Sequence, residues 1–240
     1  MAVGNGLLAT QDGITMVPIT GSVAAGEIAL YQFRVTTANG MPITAYRPEL
    51  TKLLHFYLVR DDLTGFQHVH PTLDSVGTWS VSLAPSPAGK YRAYAQFTAM
   101  LGTRAVSTVL SKTVVAVGTT TTTTPLPAPS SSTGIDNYEL AISGSPIAGQ
   151  ASKLSVTFTK KGSPVTDLQP YLDTYAHLTA FHEKDMAFAH LHPMGSVNGD
   201  HGGPKLTFDA DFSQVGLYRL FLQFQTAEML RTVSVTIQVR

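Results

Sequence analysis

Cysteine is absent from this chain of 240 residues. That excludes disulfides, thiolate zinc fingers and thiol nucleophiles. Charge is scarce: 13% of residues are Asp, Glu, Lys or Arg, 16 acidic against 16 basic, for a formal net charge of zero. No run of Lys and Arg offers the clustered charge that phosphates require, so nucleic acid is not an expected partner. No apolar run reaches the roughly 18 residues of a membrane-spanning helix. The N-terminal MAVGNGLLATQDG has neither a basic leader nor a long apolar region, so it does not read as a secretory signal. Low charge and a threonine-rich connector point to a secreted, periplasmic or cell-surface protein, in a mature form with an added Met1.

What the chain does have is a duplication. Residues Gly40 to Pro71 align without a gap on Gly162 to Pro193. Gly40-Met41-Pro42-Ile43-Thr44 matches Gly162-Ser163-Pro164-Val165-Thr166, Pro48 falls on Pro170, and Leu50 falls on Leu172. Upstream, Ile19-Thr20-Gly21-Ser22 matches Ile142-Ser143-Gly144-Ser145; downstream, Gly89-Lys90-Tyr91-Arg92 matches Gly216-Leu217-Tyr218-Arg219. Between the copies, GTTTTTTPLPAPSSSTG offers no core-forming side chains and reads as an extended, semi-rigid spacer. The expected organisation is a first domain over 1–117, a linker over 118–134 and a second domain over 135–240.

Each copy reads as strands. Runs such as Ile28 to Val35, Lys153 to Phe158, Tyr91 to Phe97 and Tyr218 to Phe224 place β-branched and aromatic residues at period two. Glycine and proline punctuate them roughly every 8 to 12 residues, as in sandwiches. The expected fold is all-β: two tandem immunoglobulin-like antiparallel β-sandwiches of about seven strands each. Pro48-Glu49-Leu50-Thr51 and Pro170-Tyr171-Leu172 are expected to form short helical turns. The final strand, Thr232 to Val239, carries no charge. As a sheet edge it would be a place for another chain, or a second copy, to add a strand.

The histidines hold the only concentrated chemistry. Phe66-Gln67-His68-Val69-His70-Pro71 recurs as Phe188-Ala189-His190-Leu191-His192-Pro193, and thirteen residues before each pair stands His55 or His177. Residues i and i+2 of a strand share a face, so His68 and His70 point one way. Asp61 to Gly65 is turn material that makes His55 to Arg60 and Phe66 to His70 a hairpin. If pairing residues sum to 125, His55 lies opposite His70 and three imidazoles converge; a sum of 126 sends His55 to the other face. Neutral imidazole is the commonest nitrogen donor for copper and zinc. The alternative is a structural role, with half-buried rings bonded to backbone. In the second copy His182 replaces Arg60, and the insertion Gly195 to Gly203 adds Asp200 and His201, with Met194 beside it. The second copy is therefore expected to be the better metal site.

The run Asp185 to Pro193, followed by Gly216 to Phe224, resembles a bacterial secreted domain described as heavy-metal-associated, near the periplasmic copper-handling β-sandwiches. The resemblance implies an exported immunoglobulin-like domain with the HxHP histidines as metal ligands. The first copy departs from it at Leu63-Thr64-Gly65, where the acidic residue matching Asp185 is missing. Gly65 to His70 is also similar to the HVH strand of copper/zinc superoxide dismutases, but their further ligands and disulfide are lacking. No cupin glutamate, Gly-x-Ser-x-Gly elbow or phosphate-binding glycine loop occurs. The expectation is a non-catalytic metal-binding protein using His55, His68, His70, His177, His182, His190, His192 and His201. The alternative is a structural or interaction module for surface display, adhesion or self-assembly.

Overall fold

The computed structural model describes residues 4–119 and 122–240, with the side chain of His190 left aside. Met1, Thr120 and Thr121 of the expected linker, and the His190 imidazole of the expected second triad, thus lie outside the described residues. Every regular element described is a β-strand. The chain divides into two compact units, Met1–Pro125 and Leu126–Arg240, each an immunoglobulin-like β-sandwich.

Unit 1 contains β1 (Thr10–Gln11), β2 (Ile14–Pro18), β3 (Ser22–Ala24), β4 (Ala29–Thr37), β5 (Tyr46–Arg47), β6 (Leu54–Arg60), β7 (Gln67–Val69), β8 (Thr72–Leu73), β9 (Thr78–Leu83), β10 (Gly89–Leu101) and β11 (Arg104–Val117). One sheet runs β1-β2-β4-β9-β8; the other runs β3-β11-β10-β6-β7, with β5 against β10. The excess over seven strands is short two- and three-residue segments. One ladder departs from the antiparallel expectation: β3 lies parallel on β11, pairing Val23 with Ala116.

Period-two alternation builds the core. β4 turns Tyr31, Phe33 and Val35 inward; β6 contributes Leu54, Phe56 and Leu58; β10 contributes Tyr91, Ala93, Ala95 and Phe97. Trp79 stacks near Phe33 and meets the edge of Tyr46, whose hydroxyl accepts the indole N–H at 3.2 Å.

Unit 2 contains β12 (Ser132–Ile135), β13 (Tyr138–Ser143), β14 (Ser152–Lys160), β15 (Ser163–Pro164), β16 (Ala176–His182), β17 (Phe188–Pro193), β18 (Lys205–Ala210), β19 (Gly216–Thr226) and β20 (Met229–Val239). The two halves of this sandwich are continuous through β17, which pairs with β16 over Phe188 to Leu191 and with β18 over His192 and Pro193. In unit 1 the same passage is divided between β7, on β6, and β8, on β9. β20 ends the sheet, yet its outer side is not open along its length. Ser130 N donates to Thr236 O and Thr133 Oγ1 to Ser234 O, both at 2.9 Å. That narrows the strand edge expected to accept another chain.

The expected helical turns are not helical. Glu49 and Lys52 exchange backbone hydrogen bonds of 2.8 and 2.9 Å around Leu50 and Thr51, both left-handed at φ 46° and 69°. Tyr171 and Thr174 do the same around Leu172 and Asp173, at φ 54° and 57°. Two consecutive positive φ angles define a hairpin turn that favours Asn and Gly. Neither copy has them, and Leu50, Thr51 and Leu172 each adopt the left-handed conformation at a cost on the order of 1 kcal/mol.

Each unit buries its own apolar cluster. Fragments 1–125 and 126–240, expressed separately, are therefore expected each to show a β-type circular dichroism spectrum and a cooperative thermal transition. A fragment that stays unfolded would mean that its core needs the other unit.

Candidate metal centre

The strained turn and the β6–β7 hairpin together place the histidines. β6 pairs Phe56 with Val69, Tyr57 with His68 and Leu58 with Gln67, the register that sums to 125. Phe56 and Leu58 face the core, so His55 and Tyr57 face away from it, together with His68. His70 continues the same alternation opposite His55.

Three rings converge there. His55 Nδ1 lies 3.0 Å from His68 Nε2 and 3.3 Å from His70 Nε2. One donor nitrogen of each residue lies within 4.8 Å of the other two. His55 and His68 are buried, at 3% and 8% exposure, and His70 is half-buried. His55 Nε2 sits 3.0 Å from the carbonyl oxygen of Glu49. A carbonyl can only accept, so Nε2 carries the hydrogen and the neutral ring presents its Nδ1 lone pair to the other two histidines. An imidazole whose second nitrogen donates to a backbone carbonyl is oriented as metal-ligating histidines are. Burial pushes the His55 pKa below its ordinary 6.5, against the raising effect of the Glu49 carbonyl, so the ring is neutral at physiological pH.

The spacings fit a metal. Two nitrogens about 2.0–2.1 Å from a tetrahedral ion stand about 3.3 Å apart. Three imidazoles supply the borderline donors that suit copper and zinc. They would leave one position of a four-coordinate ion for water or another ligand.

Sequence reasoning did not single out the supporting residues. Tyr57 stacks on His68 with ring centroids 4.4 Å apart and planes 19° apart, and its hydroxyl donates to Gln96 Oε1 at 3.3 Å. The signal was present: Tyr57 stands two residues after His55, on the same face of the strand.

In unit 2, His177 Nε2 lies 2.9 Å from the Tyr171 carbonyl oxygen, the position that matches Glu49. Leu178 pairs with Leu191 and Thr179 with His190; the ladder stops there, and His192, which is exposed, pairs with Asp209 of β18. Of the other proposed ligands, His182, Asp200 and His201 lie elsewhere. His182 lies on β16 five residues after His177, an odd step that turns it to the opposite, core-facing side. There its Nδ1 meets Asp185 Oδ1 at 2.7 Å, its ring lies against Tyr218, and Nε2 is buried without a hydrogen-bond partner. His201 and Asp200 are exposed in the inserted loop, which the Tyr175 hydroxyl pins by donating to Gly199 O and accepting from Asn198 N. Among the described residues, the gathered metal-type cluster is that of unit 1; the unit 2 triad includes His190, whose side chain lies outside the described residues.

No helix among the described residues is long and apolar enough to cross a membrane. No curated protein matches the sequence. Among solved structures, the chain is similar to InvD of Yersinia pseudotuberculosis, at 14% identity and TM-score 0.29, over 96% of this chain and 58% of that one. It is also similar to a Salmonella alpha-2-macroglobulin, at 12% and 0.31, over 100% and 16%. Invasin, a bacterial integrin-binding protein, is matched at 13% and 0.27, over 95% and 39%. The chain thus spans less than two thirds of each, and likenesses this weak carry nothing about activity or partner. The match to a family model is of another kind: it covers residues 9–114 and again 132–240, one match per unit, and the chain belongs to the family described as Domain of unknown function (DUF8832).

Proposed function

We propose that this chain is a non-catalytic, extracytoplasmic β-sandwich protein that binds a transition metal, copper or zinc, through His55, His68 and His70 of unit 1. The observation that carries the reading is the convergence of His68 Nε2 and His70 Nε2 on His55 Nδ1, at 3.0 and 3.3 Å. The Glu49 carbonyl, which holds the opposite nitrogen of His55, supports it.

Calorimetric titration of metal-free full-length protein with Cu(II), and separately with Zn(II), tests it. Saturable binding at micromolar metal is expected, with a raised melting temperature because the ion binds only the folded state. The double substitution His68→Ala and His70→Ala should abolish that binding, while His177→Ala with His192→Ala should leave the unit 1 site in place. No saturable binding by the parent protein would reject the metal.

A second reading rests on the same contacts. His55 Nδ1 lies within hydrogen-bond distance of both other rings, and those bonds can tie β6 to β7 without an ion. The histidines would then be structural, and the two sandwiches would serve as an interaction module for surface display, adhesion or self-assembly. That reading expects His68→Ala to lower the stability of unit 1 in protein that takes up no metal.

A further inference from the structure

We infer that Tyr57 is the positioning residue of the unit 1 centre, the side chain that aims His68 at His55; this rests on the metal-binding reading. β7 is three residues long and pairs with β6 at three positions, so the backbone alone constrains His68 weakly. The ring of Tyr57, directly across the ladder, covers one face of the imidazole at 4.4 Å and nearly parallel, at 19°. A flat neighbour at that distance limits rotation about the Cβ–Cγ bond and keeps Nε2 in the plane in which it meets His55 Nδ1. Tyr57 is itself fixed. It is almost fully buried, flanked by Phe66 at 6.3 Å, and its hydroxyl donates to Gln96, the residue paired with His55 on the other side of β6. Gln96, Tyr57 and His68 form a bracket whose two ends lie beside His55.

Unit 2 lacks this bracket. The position matching Tyr57 is Thr179, which pairs with His190. Its hydroxyl is buried without a hydrogen-bond partner, and Gln223, paired with His177, donates instead to Thr232 Oγ1 at 3.2 Å. The copies share the first histidine, its carbonyl anchor and the HxHP motif. They differ in the residue paired with the middle histidine, Tyr57 in unit 1 and Thr179 in unit 2.

Residues that orient a metal-ligating imidazole typically contribute about 10- to 100-fold in metal affinity. In full-length protein carrying His177→Ala and His192→Ala, Tyr57→Leu and Tyr57→Thr are expected to weaken Cu(II) binding by about tenfold or more. They are also expected to change the electron paramagnetic resonance spectrum of the bound ion. Tyr57→Phe, which keeps the ring and loses the hydroxyl, should bind within about threefold of the parent with an unchanged spectrum. Fluorescence of Trp79 in metal-free protein checks that each variant is folded, and either non-aromatic variant suffices. Parent-like affinity and spectrum in Tyr57→Leu or Tyr57→Thr would overturn the inference while leaving the metal site intact. A parent protein that binds no Cu(II) would remove both readings.

Discussion

Phe56→Ala is expected to lower the stability of unit 1 by about 3–5 kcal/mol, the usual cost of deleting a buried aromatic ring, and to leave unit 2 unaffected. Phe56 is fully buried. It stacks on Phe33 at 5.6 Å and meets Tyr31 at 5.5 Å, so its removal opens a cavity between the sheets at the level where β6 pairs Val69. A single domain rarely has more than about 5–15 kcal/mol of stability to lose. The chain supplies its own reporter: its one tryptophan, Trp79, sits in this cluster beside Phe33. In urea, the Trp79 fluorescence midpoint should fall sharply, while far-ultraviolet circular dichroism retains a second transition at the parent's position. Both transitions moving together would show that the two clusters unfold as one. Because Phe56 lies between His55 and Tyr57, the same variant should also weaken metal binding, as a consequence of lost packing.

How far the centre could be read from the sequence depends on parity. The two registers weighed for the hairpin were separable in principle. Leu54, Phe56 and Leu58 alternate with His55, Tyr57 and Val59, and Val69 lies between two histidines. Pairing Phe56 with Val69 keeps Leu54, Phe56, Leu58 and Val69 on the core face, whereas the other sum would turn His68 inward; a one-residue slip flips a whole strand. Parity also decides His182, an odd step from His177 and so on the wrong face to join it. The duplication and the period-two strands were legible for the same reason, since both are patterns in the order of residues.

The rest depended on backbone conformations that the local residues do not announce. The carbonyl that holds His55 follows from a left-handed turn at Leu50 and Thr51, where composition gives no hint of positive φ. Likewise Leu63, at φ 59°, helps close the β6–β7 turn, with Leu63 N donating to Arg60 O and Arg60 N to Thr64 O, both at 2.9 Å. The connector, an extended spacer by composition, has its first part held to unit 1. Arg60 Nη1 donates to Thr122 O at 3.4 Å, and Thr124 N donates to Asp62 Oδ2 at 2.9 Å. At its far end, residues 132–134 belong to β12. Contacts between a turn and a connector some 60 residues later leave no periodic trace.

Asp62 is where that clasp can be opened. Asp62→Ala is expected to destabilise unit 1 by about 3 kcal/mol, because removing one partner of a buried ion pair strands the other charge. Both side chains of the pair are 5% exposed, with Arg60 Nη1 3.0 Å from Asp62 Oδ2. The guanidinium has little room to relocate: a Cβ at Gly89 would stand 2.7 Å from Arg60 Nε. The carboxylate also accepts from Thr64 N at 3.1 Å and from the Thr64 hydroxyl. Burial alone would raise its pKa, but the amide N–H groups of Thr124 and Thr64, the Thr64 hydroxyl and the Arg60 charge together hold it below the ordinary 3.8. A carboxyl depressed in the folded state contributes its full stabilisation above the unfolded value of about 3.8 and loses it as pH falls through the lower folded value. The variant's deficit, read from the Trp79 urea midpoint, should therefore be constant from pH 7 down to about 5 and shrink below about pH 4. Limited proteolysis at pH 7 should cut the variant faster between Thr119 and Pro125, since Thr124 loses its acceptor. A parent-like midpoint at pH 7, together with an unchanged cleavage rate, would show that Asp62 neither supports Arg60 nor holds the connector.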